Sequence, residues 1–279
     1  MKFNNVIILD KPPGHTSHEI TTFVKKITGA SRAGHAGTLD PQVSGVLPIA
    51  LGRATKLLRY IAGADKTYVG IIKFKKVQTK KQIESLFSKF TGVLIQTPPK
   101  KSAVRKRPRK RTVHYLKFIE IDEENPRLVL FETKVDAGTY IRTLCKDIGK
   151  KCGGARMEEL RRTAVGEITE DESFKIYELI DAVHYDKEGK TELLKKMLRA
   201  PEEFIKLPKV FIKENALQSV ERGAQIMIPA IESMDEVEAD KKVAIYYKDR
   251  FVGVGIAKIT KKELNLKKGI GIKLERVHL

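Results

Sequence analysis

The sequence predicts an α+β fold, a sheet with flanking helices, followed by a small β-barrel. Helical and strand-like stretches alternate irregularly through most of the chain, without a repeated strand–helix–strand unit, which favours an α+β sheet over a doubly wound one. The character then changes near residue 206, around Ala200-Pro201 and Leu207-Pro208. Beyond that break come short strands separated by turn signals and glycines placed for bends, the pattern of a small barrel. Two domains are expected, 1–206 and 207–279.

Each element follows from its residues. The VIIL run at 6–9 reads as a buried strand that ends at Lys11-Pro12-Pro13-Gly14, where two prolines and a glycine forbid regular structure. Thr16 with Glu19 forms a capping-box pattern, and Ile20, Phe23, Val24 and Ile27 repeat as one helical face that Gly29 stops. Residues 30–53 lack a long period and are rich in Gly, Ala, Thr and Pro, so a functional loop is expected there. A short helix at 54–61, a strand at 67–74 and a helix at 79–90 with Ile83, Leu86, Phe87 and Phe90 on its apolar face come next. Strands at 113–121 and 127–135 flank an acidic turn, and a helix at 139–151 carries Ile141, Leu144, Cys145 and Ile148 on one face. Helices at 176–184 and 190–199 precede strands at 209–212, 242–248, 250–258 and 270–277, with a tight reversal at Asp249-Arg250.

Charge narrows the partner. The 279 residues hold 54 Lys and Arg against 35 Asp and Glu, a formal charge of +19, which points to a polyanion. Between 97 and 112 no core can absorb the sequence: eight basic side chains fall in the twelve residues 100–111. Such a segment is either a solvated linker or a salt-sensitive grip on nucleic acid backbone. Apolar runs fall far short of a membrane span, and Asp10 cuts off any signal-peptide core. Cys145 and Cys152, seven residues apart and read on one helix, are too distant to pair. With no export signal, a reducing cytoplasmic location is expected. His15 and His18 have no Cys, Asp or Glu at ligand-like spacing, so no metal site is expected.

The densest chemical signal is the loop Arg32-Ala33-Gly34-His35-Ala36-Gly37-Thr38-Leu39-Asp40-Pro41, one carboxylate among small residues that permit close approach by a substrate. Local composition leaves two readings of Asp40, a reacting carboxylate or a turn former that accepts backbone N–H bonds.

GHAGTLDP, GVLPIALGRATK, KTYVG, GTYIRTLCKDIG and LRRTAVG follow one another in an order that resembles the TruB/dyskerin family of RNA pseudouridine synthases. TPPKKSAVRKRPRKRTV is similar to the basic thumb loop of the archaeal dyskerin-type branch, and LPKVFIKENALQSVERGAQIMIPAI to the opening of its C-terminal PUA domain. The resemblance implies a mixed, mainly antiparallel synthase sheet and a PUA barrel that binds RNA. It implies the catalytic subunit of an H/ACA guide-RNA particle acting on ribosomal RNA beside small accessory proteins, with no cofactor. Action on the T-arm uridine of transfer RNA alone is the alternative, and a non-catalytic RNA-binding protein a remote one.

By that resemblance the nucleophilic or general-base Asp is Asp40, the active-site Tyr is Tyr68, and the Arg that pairs with the carboxylate is Arg142. Breaking the N1–C1′ bond, turning the base and rebonding through C5 needs one carboxylate, acting at the ribose or on a proton. The Tyr68 ring would stack on the flipped base. Lys11, Pro12, His35 and Leu160 are expected around the substrate. RNA backbone is expected at Lys100, Lys101, Arg105, Lys106, Arg107, Arg109, Lys110 and Arg111 and, in the barrel, at Lys209, Lys213, Arg222 and Gly223. Ala36 stands where the family commonly has Ser or Thr. Only eight residues precede LDKPPG, whereas the archaeal branch carries a longer extension that packs on the PUA domain, which leaves domain docking open.

Overall fold

A computed structural model describes residues 3–98 and 105–278. Up to residue 206 the chain forms β1 (Val6–Lys11), α1 (Ser17–Thr28), β2 (Ala33–His35), β3 (Ser44–Leu51), α2 (Leu58–Ile61), β4 (Lys66–Phe74), α3 (Lys80–Lys89), β5 (Gly92–Gln96), β6 (Arg109–Ile121), β7 (Leu128–Val135), α4 (Ile141–Lys150), β8 (Ala155–Val165), β9 (Ile168–Thr169), α5 (Ile176–Lys187) and α6 (Glu192–Met197). The strands make one mixed, mainly antiparallel sheet in the order β1-β3-β8-β4-β7-β6-β5, with β2 on β3 and β9 on β8. Local signals hold at α1: the Thr16 hydroxyl accepts the Glu19 N–H, the Glu19 carboxylate returns the bond, and Gly29 leaves in the left-handed conformation. Its buried face is narrower than the periodicity predicts. Ile20 and Val24 are enclosed, but Phe23 is 37% exposed.

Residues 30–53 are not a loop throughout. β3 is buried along almost its whole length and pairs antiparallel with both β1 and β2. Burial on both faces replaces the alternating pattern that marks a surface strand with a continuous apolar run, VLPIAL, and Pro48 disguises it further. β3 meets β8 in parallel at only two residue pairs, Ser44 with Arg161 and Gly45 with Arg162. That narrow junction joins the two halves of the sheet. On one side α1 and α5 cover β1 and β3; on the other α3 and α4 cover β4, β6 and β7.

The basic stretch expected as a loop over 97–112 is a strand from Arg109 onward, because β6 begins there and pairs with β5, Arg111 opposite Leu94. β5 and the highly charged β8 go beyond the predicted elements. Cys145 is buried on α4, whereas Cys152 lies past the end of that helix rather than on it.

The C-terminal part contains β10 (Lys209–Ile212), α7 (Glu214–Glu221), β11 (Ile226–Met227), β12 (Ile231–Met234), β13 (Lys242–Tyr247), β14 (Arg250–Ala257) and β15 (Ile270–Val277). Its sheet runs β11-β15-β14-β13-β10-β12, and the two end strands are joined through a short turn at Ile228–Ala230, giving a nearly closed barrel. The β13–β14 reversal falls on Lys248-Asp249, one residue earlier than expected, with Lys248 at φ 52°.

The two parts pack directly on each other. Leu57 and Ile205 share an apolar cluster with Ala244, Phe251 and Val254, and Tyr60 packs against it. At its edge Glu275 accepts from Arg59 at 3.1 Å and from Tyr60 at 2.9 Å. Docking therefore has a contact of its own between the N-terminal sheet and the barrel. Among the described residues, no helix is long and apolar enough to cross a membrane.

Candidate active site

Asp40 sits on the loop between β2 and β3, and Arg142 in the first turn of α4. Sheet order brings them together across 102 residues of sequence: Arg142 Nε lies 2.8 Å from Asp40 Oδ2 and Nη2 lies 3.1 Å from Oδ1. Such a two-pronged guanidinium fixes both the position and the plane of a carboxylate. It also leaves that carboxylate accessible, for the Asp40 side chain remains 35% exposed.

The pair opens into a cavity of about 430 Å³ between the two halves of the sheet, with Tyr68 from β4, Leu160 from β8, and the 138–142 turn around it. Of the residues singled out from the sequence, Asp40, Tyr68, Arg142 and Leu160 meet here. Leu160 faces Gly70 across the β4–β8 pairing, so a strand that escaped prediction supplies one wall.

Lys11, Pro12 and His35 do not line the cavity. Lys11 is wholly enclosed, and its ammonium donates to the carbonyls of Pro12, His15 and Pro41 at 2.8, 2.7 and 3.0 Å. Burial lowers its pKa, and the Arg162 charge adds to that. This residue ties the LDKPPGH segment to the residue after Asp40 and has no free donor for substrate. His35 is held behind the loop, its Nδ1 3.0 Å from the Thr21 hydroxyl and its Nε2 3.3 Å from that of Thr38.

Two buried cations line the cavity that the motifs alone did not single out. Arg162 is 1% exposed, donates from Nε to Val46 O at 2.8 Å and from Nη2 to Gly37 O at 3.0 Å, and faces the Tyr68 hydroxyl. It braces the Asp40 loop from below. Lys66 donates to the carbonyls of Ala62 and Ala64, and burial, with the Arg162 charge, pushes its pKa down to about 8. The signal for Arg162 was present in LRRTAVG, where strand alternation sends Arg161 to Asp10 and Glu170 and Arg162 inward. Thr139 adds a buried hydroxyl with no hydrogen-bond partner among the described residues.

Asp65, His114 and Asp136 also gather at the rim, each offering a ligand atom within 4.8 Å of the others, a grouping that spacing along the chain conceals. His114 bridges the two carboxylates at 3.3 and 3.1 Å.

The basic residues fall in separate places. Lys100 and Lys101 lie outside the described residues. Arg105, Lys106 and Arg107 are exposed, whereas Arg109 and Arg111 on β6 line a small hollow that shares Gly138 and Tyr140 with the Asp40 cavity. In the barrel, Lys213 holds the N-cap position of α7 and Arg222 the C-cap position, so they stand about 14 Å apart along the helix instead of forming one patch. Lys209 lies over the Tyr246 ring, and Lys213 donates to the Pro229 carbonyl at 2.9 Å. Arg222 and Gly223 line a cleft between the two parts, opposite Lys56 and Arg59.

Comparison with known proteins joins this geometry to a family. The model of the TruB family pseudouridylate synthase N-terminal domain matches residues 25–141, the tRNA pseudouridylate synthase B C-terminal domain 142–206, and the PUA domain 208–278. The chain belongs to the TruB family of pseudouridine synthases. TruB-family enzymes are RNA isomerases, and a probable tRNA pseudouridine synthase B of Nanoarchaeum equitans is 42% identical, covering 99% of this chain and 80% of that one. The corresponding TruB-family protein of Pyrococcus furiosus is 41% identical over 98% of this chain and 82% of its own. Among solved structures, a Cbf5-Nop10-Gar1 complex matches at TM-score 0.89 and 40% identity, covering 99% and 85% of the two chains. An H/ACA ribonucleoprotein bound to a substrate RNA containing 2′-deoxyuridine matches at 0.88 and 39%, with the same coverage. The TruB synthase sheet and the PUA barrel expected from the motifs are thus both present.

Proposed function

We propose that the chain isomerises uridine to pseudouridine in RNA as the catalytic subunit of an archaeal H/ACA guide-RNA particle acting on ribosomal RNA. Residues 1–206 form its catalytic domain and 207–279 its RNA-binding PUA domain, in a cytoplasmic setting. The observation that carries the reading is the two-pronged Asp40–Arg142 pair in a nucleotide-sized cavity with Tyr68.

Asp40 acts on the flipped uridine, either by attack at the ribose or by proton abstraction, while the N1–C1′ bond breaks. The detached base turns within the cavity against Leu160 and the Tyr68 ring; C5 bonds to C1′, releasing Asp40 where it had bonded to the ribose; the C5 proton leaves with help from the Tyr68 hydroxyl, and N1 takes up a proton. Arg142 holds the carboxylate in register throughout. Lys11 and Arg162 act as positioning residues, one tying down the segment beyond Asp40 and the other the segment before it.

Guide dependence is supported by the likeness to chains solved in a Cbf5-Nop10-Gar1 complex and an H/ACA ribonucleoprotein. The alternative, unaided action on transfer RNA, is favoured by the name that the archaeal relatives carry, tRNA pseudouridine synthase B. Incubating the purified protein with unmodified transfer RNA, and separately with an H/ACA guide, its substrate and accessory proteins, followed by pseudouridine mapping, separates the two. Asp40→Asn should abolish product in whichever reaction succeeds, by several orders of magnitude. Activity within tenfold of wild type would overturn the assignment of Asp40.

A further inference from the structure

At the opposite end of α4 from Asp40, six basic side chains converge from four places in the fold. Lys73 and Lys75 come from β4 and just beyond it, Arg127 from the approach to β7, Lys146 and Lys150 from α4, and Arg156 from β8. They surround a hollow of about 500 Å³ whose lining contains no carboxylate among the described residues. Glu158 pairs with Arg156 and Lys73 at 2.9 and 3.6 Å, and Asp147 with Lys150 at 2.6 Å. Among the described residues, the Lys75 and Lys146 ammonium groups have no hydrogen-bond or ion-pair partner.

Helix-end electrostatics accounts for part of this. Cations in the last turn of a helix offset its exposed carbonyls, which covers Lys150 on α4. It does not reach Lys73, Lys75, Arg127 or Arg156, which stand outside that helix. Repulsion among like charges gathered in a concavity is offset when an anion enters, and the concave shape focuses the field that draws one in.

The hollow is also connected to the reacting centre. Arg142, Lys146 and Lys150 are spaced four apart, so they form one exposed stripe beside the face that buries Ile141, Leu144, Cys145 and Ile148. The stripe is about 12 Å long. It begins at the Asp40 carboxylate and ends in the hollow. A ligand that fills both must present a nucleoside at one end and further negative charges along a continuous thread, which a nucleic acid strand does and an acidic peptide does not.

We propose that the hollow is a phosphate-binding subsite for the RNA strand that runs from the target uridine along α4. The proposal rests on the synthase reading only in naming RNA as the ligand. By holding the strand along α4, the subsite adds binding energy that is equal in the ground and transition states.

The test is the full-length variant Lys75→Gln, Arg127→Gln, Lys146→Gln, assayed with an unmodified transfer RNA transcript over a range of salt. A control, Lys25→Gln, Lys26→Gln, Lys196→Gln, removes the same charge from α1 and α6. Relative to that control, the slope of log K against log[salt] should flatten by about 2 units, at roughly 0.7 to 0.9 per phosphate contact. KM for the transcript should rise while kcat at saturation stays within about twofold, as loss of uniform binding requires. Lys75→Arg with Lys146→Arg should retain the wild-type slope. A slope equal to the control's, with both variants folded by thermal melting, overturns the subsite. Selective loss of binding to an acidic protein with RNA binding untouched assigns the hollow to a protein instead. Binding is read without turnover, so the slope comparison stands whether or not this transcript is modified; absence of pseudouridine both here and with an H/ACA guide, its substrate and accessory proteins would count against the synthase reading.

Discussion

The backbone carbonyl of Arg162 occupies the space that a side chain on Gly45 would need. Gly45 has φ 107°, a conformation that glycine alone adopts at no steric cost, and a Cβ built there runs into the Arg162 backbone well inside van der Waals contact. The parallel junction between β3 and β8 depends on that approach, and so does the inward course of Arg162 beneath the Asp40 loop.

Gly45→Ala should therefore lower stability by about 1–3 kcal/mol, the range for overpacking in a closed core. It should also lower turnover, because the displaced Arg162 no longer braces the Asp40 loop. Denaturant melts and single-turnover rates on the same preparation check both. A variant with wild-type stability and rate would show that the two halves of the sheet do not need so close a junction.

Arg142→Lys retains the charge but not the fork. A lysine makes a single-point contact with Asp40 in place of the paired bonds at 2.8 and 3.1 Å. The expected outcome is a fall in kcat of roughly 100-fold, the scale for small misplacement of a reacting group, with the thermal midpoint nearly unchanged because both side chains are substantially exposed. Retention of wild-type kcat would mean that charge alone is enough.

Lys66 should make stability depend on alkaline pH. Its pKa falls from 10.5 to about 8 on folding, so between those values the unfolded chain carries more protons than the folded one. Stability from this group rises with pH in that window, and the burial penalty is fully present below about 8. In denaturant melts at pH 7.5 and pH 10, wild type should gain on Lys66→Met by on the order of 2 kcal/mol. A difference that does not change with pH would show that Lys66 does not titrate in the folded protein.

Phe251 stands at the contact between the synthase sheet and the barrel, 3% exposed and edge-on to Tyr246 at 5.5 Å. Phe251→Ala should cost about 3 kcal/mol and let the barrel melt ahead of the catalytic domain. Calorimetry should resolve two transitions in place of one. A single transition at the wild-type midpoint would show that docking does not depend on this ring.

Local elements were legible because their causes are local. Thr16 and Glu19 cap α1 by bonds within four residues, and the apolar spacing of α4 needs only its own turn. β3 was read as loop because burial on both faces removes the alternation that marks a strand, and Arg109 to Arg111 because a strand rich in cations looks like a solvated segment until β5 is beside it. The link between Asp40, Tyr68 and Arg142 came from motif resemblance, not from spacing, since no periodicity connects residues so far apart in the chain.

The sequence by itself determined the class of fold and the family, and it singled out Asp40, Tyr68, Arg142 and Leu160, which the fold brings to one cavity. Those follow from composition, short-range pattern and motif order. Tertiary structure alone decided that Arg162 and Lys66 belong to the cavity and that Lys11 is sealed behind it. It also decided that Lys213 and Arg222 stand at opposite ends of one helix and that six cations meet at the far end of α4. A charged side chain reads alike in a sequence whether it is solvated or enclosed. Burial is a property of what the rest of the chain places around it, and in this fold the sheet order places those neighbours from distant segments.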